Sequence, residues 1–578
     1  MDRHTSAVWA VAAGLLLVLA LVVVQRAYPR PLPGIPYNRA ATRRLWGDLP
    51  EIAEAGSNGG SFRTWFLTQA IKHNSAITQV FLGPLVKPSV IVSDYREVSD
   101  ILKHRDAVDF KRGLKVQAFR GLLPHAFPAM ETFDAGFKRS RDLARDLMAP
   151  SVLHAMNAPR VHEVASDLVQ LWRLKCRLAE DHPFDLTRDL CEFSFDAILS
   201  AAMGLDAEGG DVKRQLERMR SCAGDDVRGR LSPDTDDPVV FESGPKSAKL
   251  AALQEQVDSL WKAFAIPWPR LYHSLNNLRP RVRAARATLQ KHIVSQAALA
   301  RERLTRDGQE PRCALDFVIQ REMRAAARER RVAVLDDPHI LQPIHGYLIA
   351  GHDTSAGSLS WLMRRLVLHP EQQALVRDDL RRTYAEARAA RRPPTAAELV
   401  GGRRCARLEA FVQETLRLDT PVLNIMVMTR TEAVVLGHRL PADTRVFVNL
   451  TGPSINMPSL AVDEERRSPT SRAHKSSGAA RDNWDDADPA AFRPERWLRP
   501  DADGKPVYDA GLGPELAFSA GNRGCWGKRL GNLELRIVLA LLIWSFEFEL
   551  PRKFVSWDTY DSLVTAPKAC LVRIKELP

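Results

Sequence analysis

Phe518-Ser519-Ala520-Gly521-Asn522-Arg523-Gly524-Cys525-Trp526-Gly527 is the stretch that decides the fold. Its three glycines allow a tight loop around a single cysteine, so that several backbone amides can point at one sulfur. Amide donors and nearby cations stabilise a thiolate over a thiol. We predict an apolar helix directly after the loop, over Leu530–Trp544, whose dipole adds to this effect. A thiolate held in this way suits a soft axial bond to a metal, such as haem iron.

The other cysteines offer no competing pattern. The seven cysteines of the chain are scattered and contain no CxxC pair. This distribution argues against a disulfide framework or a cysteine zinc site, and it favours a reducing compartment. From the residues alone, Cys525 could also be a free cysteine in a turn or a catalytic thiol, although no His/Asn partner pattern supports a thiol nucleophile.

A long helix is predicted upstream of the cysteine loop. Asp337 and Pro338 are a typical N-cap and first-position pair, and Pro370 ends the pattern. Its middle reads Ala350-Gly351-His352-Asp353-Thr354-Ser355, where small residues allow a flat group to approach the backbone. A carboxylate in this apolar stretch is costly unless it has a partner or a task. The alternative is a helical threonine that bonds back to an i−4 carbonyl, with His352 a packed or solvated residue.

A charged pair follows the long helix. Glu414 and Arg417 are spaced i, i+3 on a helical run that begins near Arg404, so they face the same side. Phe492-Arg493-Pro494-Glu495-Arg496-Trp497 brings a further arginine near an aromatic residue. Taken alone, such a pair could equally be a solvated helix pair of little energetic value.

The composition is that of a globular protein. The chain has 578 residues, 45% hydrophobic and 26% charged, which excludes a disordered, collagenous or polytopic membrane protein. Its formal charge of +12 suits a basic soluble surface, an anionic membrane surface or an acidic protein partner. We expect no nucleic-acid partner, because no basic stripe interleaved with aromatics and no zinc-finger or RNP motif is present.

The N-terminus predicts a membrane anchor. Ala7–Val24 is uncharged and spans about 27 Å as a helix, close to the thickness of a bilayer core. Several arginines follow it, which places the C-terminal side in the cytoplasm. A cleaved signal peptide is the alternative. We therefore predict an anchor over 1–25, a proline-rich linker over 26–45 and one catalytic domain over 46–578, with irregular loops at Gly224–Lys246 and at the insertion Pro458–Asn483.

Together these motifs resemble the cytochrome P450 family, the haem-thiolate monooxygenases. The family's haem loop FxxGxRxCxG, its helix motif (A/G)Gx(D/E)T(T/S), its ExxR pair and its PERW segment all occur here in the family's order. The resemblance covers the chain from the proline-rich segment to the C-terminus, and the N-terminus is similar to that of microsomal members. It implies a mainly α fold with a small β-rich lobe, preceded by one transmembrane helix. Within the family, the sequence pattern most resembles fungal secondary-metabolism members.

The resemblance also implies roles for residues. Cys525 would be the axial ligand of a haem b iron, and Asp353 and Thr354 would deliver protons for O–O cleavage. Glu414, Arg417 and Arg496 would form a structural triad. The family's WxxxR motif is present here as Phe137 and Arg141. Because phenylalanine replaces the tryptophan, the contact made by the tryptophan ring N–H is lost. The further residues expected to contact the haem are Phe518, Gly521, Arg523, Gly527, Arg141, Arg430 and Gly351.

The implied function is insertion of one oxygen atom from O2 into a lipophilic small molecule, such as a terpenoid or polyketide. No flavin or nicotinamide motif occurs in the chain, so electrons from NADPH would arrive through an NADPH–cytochrome P450 reductase, with cytochrome b5 as a further candidate donor. The expected location is the endoplasmic reticulum membrane, single-pass, with the catalytic domain cytoplasmic. The alternatives are a haem-thiolate isomerase or dehydratase that does not use O2, and a non-catalytic haem binder.

Overall fold

The computed structural model describes most of the chain. The described residues are 9, 14–15, 25–57, 61–205, 209–221, 231–306, 310–402, 404–477, 487–553, 556 and 558–578. The predicted anchor Ala7–Val24 lies outside them except at three positions. None of the helices in the described ranges combines the length and apolar character that a membrane span requires.

Helices dominate the described residues. Numbered in chain order, they are α1 (Leu49–Ser57), α2 (Phe62–Lys72), α3 (Tyr95–Lys103), α4 (Leu114–Arg120), α5 (Ala135–Ala144), α6 (Ala158–Ala179), α7 (Thr187–Met203), α8 (Asp211–Ser221), α9 (Ala248–Ala265), α10 (Pro269–Asn276), α11 (Pro280–Arg306), α12 (Ala314–Glu329), α13 (Pro338–Leu368), α14 (Pro370–Thr383), α15 (Ala385–Ala389), α16 (Ala396–Val400), α17 (Ala406–Leu418), α18 (Pro469–Ser476) and α19 (Lys528–Ser545). Short 3-10 and other single turns connect several of them.

The strands are short and form small sheets. They are β1 (Ile77–Val80), β2 (Ser89–Val92), β3 (Phe110–Lys111), β4 (Phe184–Asp185), β5 (Asn424–Thr429), β6 (Ala433–Val435), β7 (His438–Leu440), β8 (Arg445–Asn449), β9 (Leu498–Pro500), β10 (Pro506–Tyr508), β11 (Phe546–Glu549), β12 (Thr559–Asp561), β13 (Thr565–Pro567) and β14 (Leu571–Glu576). The mainly α fold with small β sheets is therefore confirmed.

The first compact unit comprises Met1–Lys111 and Asn424–Pro489. Its sheet has the order β1-β2-β8-β5-β3, in which only the β2–β8 pair is parallel. Trp65 and Phe66 of α2 pack against Ile91 of β2 to form its core. The proline-rich segment lies on this unit, where the Gln79 side chain donates to the carbonyl oxygen of Ile35 at 2.7 Å. The predicted linker is thus hydrogen-bonded to β1 along part of its length.

The second compact unit comprises Arg112–Leu423 and Ala490–Pro578 and holds most of the helices. Helix α13 packs against α7, and α19 packs against α6. Strands β11, β14 and β4 form a three-stranded sheet, and β12–β13 form a hairpin. Trp172 of α6 is fully buried, with its ring 6.2 Å from both Phe546 and Phe548 of β11, centroid to centroid. This unit contains the cysteine loop, the long helix and the charged pair.

The two helices that carry the sequence motifs form as predicted. The Asp337 side chain accepts a hydrogen bond from the His339 amide and caps α13, and Pro370 begins the next helix. Helix α19 begins at Lys528, three residues after Cys525. Both predictions rest on local signals, a capping residue and a helix-breaking proline or glycine.

The prediction of an irregular loop for the insertion Pro458–Asn483 is wrong at α18. Ser468 accepts from the Ser471 amide as an N-cap, and Pro469 occupies the first helical turn. Residues 478–486 lie outside the described residues. The loop predicted at Gly224–Lys246 is described only from residue 231, where it has no helix or strand as far as residue 246.

Candidate active site

The cysteine loop is closed by its own backbone. The Cys525 amide donates to the Phe518 carbonyl at 2.8 Å, and the Gly524 amide donates to the Gly521 carbonyl at 3.0 Å. Gly521 adopts φ +69°, a conformation that a side chain makes costly. The loop therefore needs glycine at position 521, and it places the sulfur just before the N-terminus of α19.

Cys525 is the exposed member of the six cysteines that the structure describes; the other five are buried or partly buried. It keeps accessible surface, yet the protein packed around its sulfur raises the pKa of the thiol. The backbone amides of Gly527 and Lys528 and the Lys528 ammonium act in the opposite direction on that pKa. A coordinating metal ion deprotonates a thiol outright. The exposed cysteine and the backbone amides near its sulfur thus fit a thiolate ligand, as the haem prediction requires.

Two predicted arginines lie beside the loop. Arg141 of α5 donates to the Asn522 carbonyl at 2.5 Å, and Arg523 donates to the Met130 carbonyl at 3.0 Å. Their guanidinium carbons lie 5.7 Å and 4.5 Å from the centroid of the Phe137 ring. Phe137 thus stacks with both cations at the position where the family motif has a tryptophan. Two guanidiniums beside the cysteine loop supply positive charge that suits the two carboxylates of a haem.

Phe518, Gly527 and Arg430 complete the predicted haem contacts. Phe518 and Gly527 are the first and last residues of the loop. A Cβ atom on Gly531 of α19 would lie 3.6 Å from the Phe518 ring, and one on Gly527 would lie 3.9 Å from the Cys525 sulfur. Arg430 belongs to the first compact unit, where its side chain donates to the Ala107 carbonyl at 2.7 Å. Its contact with haem stays a prediction.

Asp353 and Thr354 lie in the middle of α13. Thr354 Oγ1 donates to the Ala350 carbonyl at 2.7 Å, the back-bonding geometry considered for it above. Asp353 Oδ2 accepts from Ser562, in the turn between β12 and β13, at 3.1 Å. Burial alone would raise the pKa of Asp353, but the contact with His352 lowers it, with help from Ser562. The acid is therefore ionised at neutral pH, beside a hydroxyl whose lone pairs remain available.

His352 is a site residue that sequence reasoning missed. It is fully buried, and its Nδ1 lies 2.9 Å from Asp353 Oδ1. Its Nε2 lies 3.3 Å from the sulfur of Cys191 on α7. Burial alone would lower the pKa of His352, but Asp353 and Cys191 raise it to about 10. His352 and Asp353 therefore form a close charge contact, although the geometry at Nδ1 is not that of a hydrogen bond.

Gly351 makes its close approach to another helix. A Cβ atom at this position would meet the Ile198 side chain of α7 at 2.5 Å. Glycine is thus needed here for α13 to pack against α7, and a cofactor contact of Gly351 stays a prediction. The small residue at this position predicted a close approach, but the sequence did not show that the approaching group is a side chain of α7.

A second buried acid links α13 to α19. Ser355 Oγ donates to Glu534 Oε2 at 2.9 Å, and both residues are buried. Complete burial raises the pKa of Glu534 to about 8, against the opposing effects of Ser355 and His352. Glu534 therefore keeps its proton near neutral pH. No sequence motif marked it, because its only signal is a single carboxylate in an apolar helix.

The predicted triad forms around Glu414. Both carboxylate oxygens accept from Arg417 at 2.8 Å, and both side chains are fully buried. Trp497 Nε1 donates to the same carboxylate at 2.9 Å, as does the Arg493 amide. Arg496 Nε lies 3.4 Å from Glu414 Oε1. The carboxylate thus ties α17 to the 493–497 segment, and Trp497 is a partner that sequence reasoning did not assign.

Comparisons with known proteins identify the family of the chain. The sequence model of the family described as Cytochrome P450 matches residues 65–456 and 478–573. A cytochrome P450 monooxygenase of Pestalotiopsis microspora is 30% identical, over 100% of this chain and 99% of that protein. Those of Fusarium sporotrichioides (29%, over 97% and 98%) and Penicillium rubens (30%, over 96% and 94%) are similarly related.

Solved structures support the fold. The crystal structure of a cytochrome P450 matches with a TM-score of 0.64 at 17% identity, covering 95% of this chain and 100% of that chain. The crystal structure of the cytochrome P450DA haem domain gives 0.64 at 16% identity, covering 95% and 99%. At these identities the likeness concerns the fold alone.

The stability of the fold should depend on the buried carboxylate of Glu414. Replacing Glu414 with glutamine leaves the buried Arg417 charge without its counter-ion, which we expect to lower the free energy of unfolding by about 3–5 kcal/mol. Glu432→Gln is the matched control, because its 2.9 Å pair with Arg439 is exposed and contributes about 0–1 kcal/mol. Urea unfolding of both variants measures the difference. Equal, small losses would show that the Glu414 pair does not support the fold.

Glu534 generates a pH prediction. In the folded state its pKa is about 8, whereas the ordinary value for glutamate is 4.5. Between these pH values the folded state holds a proton that the unfolded state has released, so the stability that Glu534 contributes falls as pH rises through this window. We expect the stability of the wild type relative to Glu534→Gln to fall by about 2–4 kcal/mol from pH 5 to pH 8. Urea unfolding across this range tests it, and a constant difference contradicts it.

Proposed function

The chain belongs to the cytochrome P450 family, and we propose that it uses Cys525 as the axial thiolate of a haem b to oxygenate a lipophilic small molecule. It is a monooxygenase with a haem-thiolate cofactor, and its electrons come from a reductase. The observation that carries the residue assignment is the exposed Cys525, held in a glycine loop beside Arg141 and Arg523.

The reaction consumes two electrons from NADPH and two protons at oxygen. In balanced form, R–H + O2 + NADPH + H⁺ gives R–OH + H2O + NADP⁺. When bound, haem supplies the iron at which O2 is activated, and the thiolate donates electron density to it. The chain must hold that sulfur, place protons correctly at the reacting oxygen and limit the access of bulk water, because a misplaced proton releases the oxygen as peroxide.

Asp353 and Thr354 are the residues we propose for proton delivery. One carboxylate oxygen of Asp353 lies 2.9 Å from His352 Nδ1, and the other accepts a hydrogen bond from Ser562. Thr354 Oγ1 donates its own proton to the Ala350 carbonyl, so its free lone pairs can accept a proton donor. An ionised acid next to such a hydroxyl can take up a proton and pass it on. The threonine also argues against an isomerase or dehydratase that does not use O2.

The proposed substrate is a lipophilic secondary metabolite, such as a terpenoid or polyketide. Apolar side chains flank both sides of Asp353 along α13. A Cβ atom at Gly346 would lie 3.7 Å from Leu123, and one at Gly357 would lie 3.4 Å from Val564 of the β12–β13 hairpin. Walls of this kind suit an apolar ligand that a few polar groups orient.

The proposed electron donor is an NADPH–cytochrome P450 reductase, with cytochrome b5 as a further donor. Lys528 lies three residues beyond the axial cysteine, and its side chain is 43% exposed while pairing with Glu515. Arg529 donates to the Met148 carbonyl at 3.1 Å. A basic patch beside the thiolate, on a chain of formal charge +12, favours an acidic docking partner.

We also propose that the protein is held in the endoplasmic reticulum membrane by residues 1–25, with the catalytic part in the cytoplasm. The uncharged run Ala7–Val24 and the arginines that follow it support this orientation. Helix α10 and the residues around it add exposed apolar side chains: Trp268, Leu271, Leu275 and Leu278 are 69%, 58%, 58% and 69% exposed. Exposed apolar groups of this size favour a lipid surface nearby.

Cys525→Ser tests the axial ligand. We expect it to abolish the strongly red-shifted Soret band of the ferrous–CO adduct, because that band requires a thiolate opposite CO. Cys176→Ser, at a partly buried cysteine of α6, is the control and should keep the band. An unchanged band in Cys525→Ser would show that another ligand binds the iron.

Thr354→Ala tests proton delivery. The variant should keep its haem but release about ten times more hydrogen peroxide per NADPH consumed, because protons are no longer placed correctly. Thr354→Ser keeps the hydroxyl and should stay near the wild-type ratio. The measurement uses the reductase, a peroxide assay and a lipophilic compound that the wild type hydroxylates, because without such a compound the wild type also reduces O2 only to peroxide or water. Unaltered coupling in Thr354→Ala would refute the role of this hydroxyl.

Deletion of residues 1–25 tests the anchor. We expect the truncated protein to move from the membrane pellet to the supernatant on fractionation, with its ferrous–CO band intact, since the haem site lies elsewhere in the chain. If the truncated protein stays with the membranes, the anchor proposal is wrong and other surfaces hold the protein there.

A further inference from the structure

The insertion Pro458–Asn483 is fastened to α3 by charge. Arg467 donates to both carboxylate oxygens of Asp94, at 2.6 Å and 3.0 Å, and both side chains are buried. Arg96 of α3 donates to both oxygens of Glu464, at 2.7 Å and 2.8 Å. These contacts fix α18 against α3 within the first compact unit.

Three metal-ligating side chains meet where the two helices touch. Asp100 and His104 are spaced i, i+4 at the C-terminal end of α3, and His474 comes from α18. One potential ligand atom from each of the three lies within 4.8 Å of the others. The spacing puts Asp100 and His104 on one helix face.

One carboxylate oxygen of Asp100 has no hydrogen-bond partner among the described residues. The residue is 4% exposed. Its Oδ2 accepts from Ser468 and Thr470, at 2.8 Å and 2.7 Å. Its Oδ1 is buried and receives no hydrogen bond from the described residues, while His474 Nδ1 lies 3.9 Å away. A buried carboxylate oxygen without a donor is costly unless a cation or water completes it.

The two histidines are in suitable states to act as ligands. His474 Nδ1 lies 2.7 Å from the Thr470 carbonyl, which requires a proton on Nδ1 and leaves the lone pair on Nε2. The ordinary pKa of histidine is about 6.5, so an imidazole is mostly neutral at neutral pH. A neutral imidazole is the form that binds a metal ion.

We propose that Asp100, His104 and His474 form a zinc site that clasps the insertion onto α3. Two imidazoles and one carboxylate are ligands that Zn²⁺ takes in proteins, with water completing the tetrahedron. Nitrogen ligands disfavour Ca²⁺ and Mg²⁺, which prefer oxygen. The nearby guanidiniums of Arg96 and Arg467 are already neutralised by carboxylates, so they add little repulsion.

Zinc binding requires one movement. The His104 and His474 rings are stacked, with centroids 3.6 Å apart and planes at 13°. A metal ion lies in the plane of each imidazole that binds it, so parallel rings cannot both bind one ion. His104 is exposed at the helix end, and its ring makes no hydrogen bond within the described part of the chain. Rotation of the His104 ring out of the stack would therefore allow both imidazoles to bind the same zinc ion.

The test uses the full-length haem-loaded protein, treated with chelator and dialysed. Isothermal titration with ZnCl2, with zinc counted by mass spectrometry after dialysis, should give one zinc per chain with a Kd of micromolar or below. His104→Ala and His474→Ala should each weaken binding about 100-fold. His154→Ala, at a partly exposed histidine of the second unit, is the control and should bind as the wild type does.

Stability separates ligation from a structural effect. His104→Ala removes an exposed ring that stacks on His474, so without zinc its unfolding midpoint should fall only slightly below that of the wild type. Zinc should raise the midpoint of the wild type and of His154→Ala but not that of His104→Ala. Retention of one zinc by both His104→Ala and His474→Ala, or no zinc bound by the wild type, would overturn the proposal. Neither readout depends on oxygenase activity, so the zinc site and the proposed function stand or fall separately.

Discussion

A hydrogen bond between two buried side chains connects the two helices on which the chemistry depends. Ser355 directly follows the acid–alcohol pair of α13, and Glu534 lies on α19, which starts three residues after Cys525. This 2.9 Å bond fixes the helix that carries the acid against the helix that follows the thiol. Because Glu534 is protonated when buried, the junction carries no net charge into the core. The sulfur and the hydroxyl must keep a fixed separation for any oxygen chemistry between them, and this bond helps to set it.

Buried charge is used throughout the structure to fix segments that are distant in sequence. Glu414 collects donors from Arg417, Arg493 and Trp497 and so attaches the 493–497 segment to α17. In the first unit, Asp94 and Arg467 attach the insertion to α3 in the same way. Such pairs cost desolvation energy, so an intact pair adds little net stability, whereas loss of one partner leaves a buried charge uncompensated. Removing one partner is therefore far more damaging than losing an exposed pair.

The parts of the site that sequence predicted are those encoded by local signals. Asp337, Pro338 and Pro370 defined the ends of α13, and glycines around Cys525 predicted its loop. The Glu414–Arg417 pair followed from helical spacing. His352, Cys191 and Glu534 escaped because their partners are set by packing: Cys191 meets His352 across 161 residues, and Ser355 meets Glu534 across 179. Helix α18 was missed although Ser468-Pro469 is a standard start signal, because the polar composition of the insertion favoured a loop.

Iron-edge X-ray absorption of the purified protein with its haem tests the central claim most directly, because it reports the atoms bonded to iron. We predict one sulfur atom bonded to iron, in addition to the porphyrin nitrogens, and its disappearance in Cys525→Ser but not in Cys176→Ser. A wild-type spectrum with only nitrogen or oxygen around the iron would contradict the assignment of Cys525 as the ligand, and with it the oxygenase mechanism drawn here.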